Sequence, residues 1–327
     1  METIICYDTS IGTSNMGDYI IVESCNKQLD FLLKDNFVIK FPTHTPVAHW
    51  YQNFKKTSGG RYNGNAKYKF VFGTNLINRN MLVPTPAWNV NIFNAKMAQG
   101  TICVGVGLGS EADKPNLYTK QLLLKILNKD FVHSTRDEKT AEFLRGIGLK
   151  AINTGCVTTW ALNNEHCAMI PTQKTDSVVF TLTDYKKDED TDKFLIQTLK
   201  KCYQTVYFWV QGVNDYEYLK SLGEMDGIQI IPPSLDEYVK VLEGDIDYVG
   251  TRLHAGIKAM QCKKRTIIIE VDNRASDMKE CINLPTLKRS ELKDTLEQKI
   301  NSDIVTKLNI HENAIRQWRA QFDETEK

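Results

Sequence analysis

Short apolar runs, each followed by a polar or glycine-containing turn and then a longer amphipathic stretch, recur through most of the chain. This alternation marks βα units around a parallel sheet, since strands buried on both faces read as continuous apolar runs and their crossover helices carry a 3.6-residue period. In the first half, Thr3 to Tyr7, Phe37 to Phe41, Lys69 to Phe72 and Thr101 to Val106 read as strands, with a very short one at Val132 to Ser134. Asp18 to Leu33, Leu117 to Leu127 and Glu138 to Gly146 read as helices. Residues 41–68 carry two prolines and three glycines without a period, which predicts a long functional loop or an irregular excursion.

The alternation restarts after Pro171. Val178 to Thr183, Val206 to Gln211, Ile228 to Ile231, Ile246 to Val249 and Thr266 to Val271 read as strands. Asp188 to Tyr203, Tyr216 to Leu222, Ser234 to Leu242 and Leu253 to Cys262 read as the helices between them. At roughly 100 to 200 residues per domain, 327 residues accommodate two such modules, with a polar link near 163–175. The expected division is 1–168 for the first Rossmann-like domain, 169–305 for the second and 306–327 for a terminal helix. Within the tail, Ser290 and Ser302 precede helical patterns (Leu292, Leu296, Ile300; then Ile304, Val305, Leu308). Ile315, Trp318 and Phe322 give the last helix one apolar stripe that needs a surface to cover.

Charge and composition exclude several roles. With 41 Lys+Arg against 40 Asp+Glu, the chain lacks the electrostatic footprint of a nucleic-acid binder. No basic leader and no apolar run long enough to span a bilayer is present, so the expectation is a cytoplasmic protein. The eight cysteines are scattered without a CxxC pair, as suits reduced, mostly buried thiols rather than disulfides or structural zinc.

Chemistry-bearing residues gather at strand ends. Gly12, Asn15, Gly17 and Asp18 lie between the first strand and first helix, where small residues let backbone N–H groups approach an anion. The spacing is neither GxGxxG nor a Walker loop, and Asn15 and Asp18 capping the helix is the plainer alternative. Phe72-Gly73-Thr74-Asn75 and Val104-Gly105-Val106-Gly107 are two more glycine-bearing strand ends, and ligands of open α/β sheets bind at such ends. Arg136-Asp137 at the start of a helix offers a cation or merely a surface pair with a cap. In Thr251-Arg252-Leu253-His254 a planar cation and a titratable imidazole stand at a strand mouth leading into a helix. That combination suits an anionic substrate undergoing proton transfer, the bland alternative being a histidine that packs or caps. Asp188-Glu189-Asp190 and Asp245-x-Asp247 look superficially like metal motifs but read as a helix start and a strand lead-in.

Taken in order, Gly12-x-x-Asn15-x-Gly17-Asp18, Gly73-Thr74, Gly105-x-Gly107, Arg136-Asp137-x-x-Thr140 and Thr251-Arg252-Leu253-His254-Ala255 resemble the polysaccharide pyruvyl transferase family, over about residues 8–272. Two segments depart from the family pattern: Thr154 to Trp160 stands where a Gly-Asp-Pro-like segment is usual, and Arg274 stands where a lysine is usual.

The resemblance implies two Rossmann-like domains of GT-B type facing a cleft, with a C-terminal helix crossing back to the first domain. It further implies transfer of pyruvate from phosphoenolpyruvate to a sugar of a polysaccharide or lipid-linked glycan precursor, as a ketal. On that basis His254 is the expected general acid; Thr251, Arg252, Leu253, His254 and Arg136 hold the donor; and Gly12, Asn15, Gly17, Asp18, Gly73, Thr74 and Gly107 face the acceptor. No metal or other cofactor is expected, because arginines and a helix N-terminus can offset the donor's charge. A lipid-linked acceptor would bring at most peripheral contact with the inner face of the membrane. A nucleotide-sugar glycosyltransferase on the same scaffold is the alternative enzyme, and a binding protein that has lost the chemistry is the alternative outside catalysis. The acceptor sugar and the oligomeric state stay open.

Overall fold

In a computed structural model of the chain, residues 1–47, 66–82, 87–109 and 115–322 are described; most of the expected excursion over 41–68 lies outside them. The chain divides into two compact units. The first comprises Met1–Thr13, Ile21–Trp160 and His311–Lys327, and the second Ser14–Ile20 and Ala161–Ile310.

In the first unit, β1 (Thr3–Asp8), β2 (Phe37–Pro42), β3 (Ala66–Phe72) and β4 (Thr101–Val104) form a parallel sheet in the order β2-β1-β3-β4. A bridge between Val106 and Thr135 leads on to a parallel pair, β5 (His133–Thr135) and β6 (Ala151–Asn153). The helices are α1 (Met16–Gln28), which belongs to this unit from Ile21 onward, α2 (Leu117–Ile126) and α3 (Glu138–Gly146), the last two beginning where capping residues dictate. Asn116 Oδ1 accepts from Thr119 N at 2.7 Å and Asp137 Oδ1 from Thr140 N at 2.8 Å, each satisfying an N–H that a helix start leaves unpaired. Ile5, Tyr7, Val71, Cys103, Trp88, Leu122 and Leu144 share its core.

His133 is sealed in this unit. Its Nδ1 accepts from Cys103 N at 3.2 Å and its Nε2 lies 2.9 Å from the Asn128 carbonyl, a set that only the neutral ring satisfies. Burial lowers its pKa from the ordinary 6.5 to about 4, against a small opposing effect of the Asn128 carbonyl. The unfolded chain therefore binds a proton that the folded chain refuses. The stabilisation is complete above about pH 6.5 and drains away as pH falls through about 4, a loss of about 3 kcal/mol. In urea titrations across that window, His133→Gln is expected to be less stable near neutrality but to flatten the pH slope; an unchanged slope would refute this assignment.

The second unit holds β7 (Ser177–Phe180), β8 (Thr205–Trp209), β9 (Ile228–Ile231), β10 (Asp247–Gly250), β11 (Thr266–Glu270) and β12 (Thr286–Lys288), parallel throughout in the order β12-β11-β10-β7-β8-β9. Its helices are α4 (Glu189–Cys202), α5 (Asp215–Ser221), α6 (Leu235–Leu242), α7 (Leu253–Gln261), α8 (Asn273–Ile282) and α9 (Leu292–Asn301). Both faces of the sheet are covered. Val179, Trp209, Tyr248 and Ile268 pack with Tyr238 and Ile257 on one side, and Phe180, Phe208 and Ile267 with Leu195, Leu199 and Leu296 on the other. The strand order reverses between β7 and β10, which is the switch point where open sheets of this kind leave a ligand crevice at their carboxyl ends.

Several expectations change here. The long segment of the first unit stops at Trp160, so 161–168 belong to the second, as do 306–310, and the first unit resumes at His311. Residues 302–311 form neither helix nor strand: Ile304, Thr306 and Leu308 are buried while Asp303, Val305 and Lys307 are exposed, a period of two over 303–308. β6, α8 and β12 were not expected. The acidic pairs both have structural partners. Asp247 Oδ2 accepts from Arg265 Nη1 at 2.7 Å and Tyr203 OH at 2.9 Å, and Asp188 caps α4. Arg265 also donates to the carbonyls of Ile300 and Ser302, closing the carboxyl end of α9.

The terminal helix, α10 (Glu312–Ala320), packs on the first unit. Trp318 Nε1 donates to the Val132 carbonyl at 2.8 Å, and Phe322 stacks on Phe131 at 5.6 Å; these are the residues of the apolar stripe. All eight cysteines are free, and five of them are buried. Among the described residues no helix is long and apolar enough to cross a membrane.

Candidate active site

Four strand ends of the second unit bring polar side chains to one edge. After β7 come Thr181, Thr183, Asp184 and Tyr185; after β8, Gln211, Gly212 and Asp215; after β10, Thr251, Arg252 and His254; after β11, Asp272 and Arg274. The β7/β10 switch point is closed by Thr183 Oγ1 and Thr251 Oγ1 at 2.8 Å and by Thr251 N donating to Thr181 O at 3.1 Å. Arg252 N donates to Thr181 Oγ1, which lies 2.7 Å from Tyr248 OH, and that hydroxyl donates to Arg252 O at 2.8 Å. Tyr238 OH donates to Ala255 O at 2.9 Å. The backbone from Arg252 to Ala255 is thereby pinned on both sides of His254. Gly256 lets α7 lie close on β11, since a Cβ there would meet Ile268 Cγ1 at 2.5 Å.

Arg252 is only 4% exposed. Its Nε donates to Leu182 O at 3.0 Å and Asp215 Oδ2 at 3.1 Å, while Nη2 reaches Asp184 Oδ1 at 2.9 Å and Asp215 Oδ1 more closely. Among the described residues nothing accepts from Nη1. The guanidinium packs against Gly212, where a Cβ would overlap Nη2. Burial raises the Asp215 carboxyl above its ordinary range, a shift that the Arg252 charge opposes. For Asp184, burial acts to raise it, but hydrogen bonds from Asn214 and the pull of Arg252 hold it below that range. Three carboxylates, Asp184, Asp215 and Asp272, stand against two guanidinium groups at this edge. Arg274 is held by Asp272, donates to Tyr185 OH at 2.7 Å, and shares the exposed Tyr185 with Arg252, whose Cζ lies 5.0 Å from the ring centre.

Asn15, Gly17 and Asp18 also belong to the second unit, a correction to the expectation that the whole Gly12 to Asp18 loop serves the first. The reason is pairing with the end of β8. Met16 N donates to Gln211 O at 2.9 Å, Val213 N to Ser14 O at 3.1 Å, and Gln211 Nε2 to Asn15 Oδ1 at 2.9 Å. Asn15 Oδ1 also accepts from Gly17 N at 3.0 Å, so the capping alternative holds for Asn15. Asp18 sits in the first turn of α1.

The remaining sequence candidates lie in the first unit. Gly12 is exposed with φ +78°. Gly73 sits against the Gly105 carbonyl with no room for a Cβ, and Gly107 N donates to Thr74 O at 2.9 Å. Arg136 lies across Gly107, where a Cβ would overlap its guanidinium, and pairs with Asp137 at 3.1 Å. Gly155, at φ +74°, faces His311. Asp184, Tyr185, Gln211 and Asp215 escaped the sequence reading, although each follows a recognisable strand end. Among the described residues no group of three or more His, Cys, Asp or Glu side chains is placed to hold a metal ion.

Two units, each built on a parallel sheet with helices against it, define an α/β fold of two Rossmann-like units, of GT-B type. The chain belongs to the polysaccharide pyruvyl transferase family, whose model matches residues 15–273; it is thus a transferase. No curated protein matches the chain. Among solved structures it is similar to Methanocaldococcus jannaschii UDP-GlcNAc 2-epimerase in complex with UDP-GlcNAc and UDP, with 13% identity, a TM-score of 0.52 and 98% of each chain covered. It is also similar to Neisseria meningitidis UDP-GlcNAc 2-epimerase bound to UDP-GlcNAc, with 10% identity, a TM-score of 0.48 and coverage of 97% of this chain and 98% of that one. At such identities the likeness is one of fold.

Proposed function

We propose that the protein moves pyruvate from phosphoenolpyruvate onto two hydroxyls of a sugar in a polysaccharide or lipid-linked glycan precursor, forming a ketal. Within this transferase family, the observation that supports the reading most is Thr251-Arg252-Leu253-His254 at the switch point of the second unit, with its backbone pinned. In the reaction C3 of the enol gains a proton, one sugar hydroxyl bonds to C2, phosphate leaves and a second hydroxyl closes the ring. Of the two hydroxyl protons, one balances the new methyl group and the other leaves on phosphate. His254 supplies the proton to C3. The donor's carboxylate and phosphate are met by Nη1 of Arg252, by Arg274 and by the N–H groups at the start of α7. Arg136 is a further anion contact, and Gly12, Gly73, Thr74 and Gly107 serve the acceptor.

A thermal-melt comparison tests the donor. A ligand that binds only the native state at about 100 times its Kd adds about 2.7 kcal/mol, so phosphoenolpyruvate is expected to raise the midpoint and UDP-GlcNAc to leave it unmoved. The opposite pattern would transfer the reading to a nucleotide-sugar enzyme, which the fold shared with the M. jannaschii epimerase favours.

A further inference from the structure

Among the large apolar side chains of the first unit that stand out to solvent are Leu82 at 62% exposure, Ile92 at 52%, Phe93 at 71% and Leu117 at 74%. Scattered singly they would be unremarkable, but hydrogen bonds draw their segments around the first turn of α2. Met81 N donates to Thr119 Oγ1 at 2.8 Å, Asn116 Nδ2 to Asn80 Oδ1 at 2.8 Å and Ile92 N to Tyr118 OH at 3.2 Å. A groove of about 710 Å³ opens beside Ile92, lined also by Tyr118, Lys125, Lys129 and Asp130.

Lysines surround this apolar centre. Lys96, Lys120, Lys125 and Lys129 are all exposed. Over residues 80–130 the sequence carries five lysines against three acidic residues, Glu111, Asp113 and Asp130, a balance of 5 − 3 = +2 within a chain of net charge +1. The inner face of α2 is filled by Thr119, Leu122, Leu123 and Ile126; Leu117, Lys120 and Lys125 are exposed, and Lys120 shares a groove with Glu142 of α3.

We propose that this patch docks on a bilayer containing anionic lipid, with Leu82, Ile92, Phe93 and Leu117 entering the boundary between headgroups and acyl chains and the lysines resting against lipid phosphates. Apolar residues set in a net-positive surface are what an interfacial site requires, because burial of apolar area and attraction to anionic lipid add together. Charge complementarity favours lipid over a protein partner. The inference goes beyond pyruvyl transfer and rests on the surface of the first unit alone. A sugar acceptor carried on a lipid would be met at such a surface.

Co-sedimentation with vesicles tests it, using phosphatidylcholine alone and phosphatidylcholine mixed with phosphatidylglycerol. The full chain is expected to sediment with the mixed vesicles, to stay in solution with the neutral ones, and to be released by salt. Phe93→Ser with Leu117→Ser, and separately Lys120→Glu with Lys125→Glu, should each weaken binding on the order of tenfold or more with melting midpoints unchanged. Turnover of a water-soluble acceptor should be retained in both, which keeps failure of docking distinct from failure of the transfer chemistry. Wild-type protein that ignores the mixed vesicles, variants that bind as wild type does, or a wild-type dimer that the apolar variant converts to monomer would each overturn the proposal.

Discussion

His254→Gln is expected to lower turnover with phosphoenolpyruvate by about 10²- to 10⁴-fold, the worth of a positioned general acid, with little change in KM for the donor. Glutamine keeps a polar side chain of similar reach but cannot deliver a proton to carbon. The effect should fall on kcat because the surrounding backbone is fixed independently of the imidazole: Tyr248 OH holds Arg252 O and Tyr238 OH holds Ala255 O. The melting midpoint should move little, since His254 is only half-buried. Release of inorganic phosphate in the presence of a sugar acceptor reads the outcome. Turnover near the wild-type value would remove His254 from the proton-transfer role.

Asp215→Ala is expected to cost about 3–5 kcal/mol, the usual penalty for breaking a buried ion pair by deleting one partner. Asp215 is fully buried and does three things at once. It takes Nε and Nη2 of Arg252, accepts from Gly212 N at 2.7 Å, and accepts from Asp184 N at 3.3 Å. Its loss leaves a nearly buried guanidinium with Asp184 as its one carboxylate partner among the described residues. Asp215→Asn keeps the shape and part of the hydrogen bonding, so it should lie between the two. Urea unfolding of the three proteins measures the order. An alanine variant within about 1 kcal/mol of wild type, the scale of an exposed pair, would mean that the pair contributes no more than a surface contact.

The inner strands of the two large sheets are legible because parallel strands covered on two faces are apolar along their length: Thr3 to Tyr7, Val178 to Phe180 and Thr266 to Ile269 need no neighbour to be recognised. β6 and β12 were missed for the opposite reason. Each is three residues at a sheet edge, Ala-Ile-Asn and Thr-Leu-Lys, too short to carry a period. The segment from Ser302 misled because Ile304, Val305 and Leu308 mimic helical spacing, while Thr306, the polar member of the buried row, conceals the alternation that is present.

For the site, Arg252, His254, Arg136 and the glycines carry their own signals in a contiguous motif. The partners do not. Asp184 and Asp215 reach Arg252 from β7 and β8, 68 and 37 residues away, and only sheet order makes them neighbours. Gln211 likewise meets Asn15 across 196 residues. The lysine-rimmed surface around α2 is built from three separate segments, so no single helix announces it.

That long-range pairing bears on any attempt to dissect the gene. Seven residues, Ser14–Ile20, travel with the second unit although the chain on either side of them belongs to the first. A fragment starting at Ala161 would leave Gln211 without Asn15 and the end of β8 without its companion strand segment. Whoever expresses the halves separately should graft that heptapeptide back, or expect an exposed seam at the mouth of the sheet.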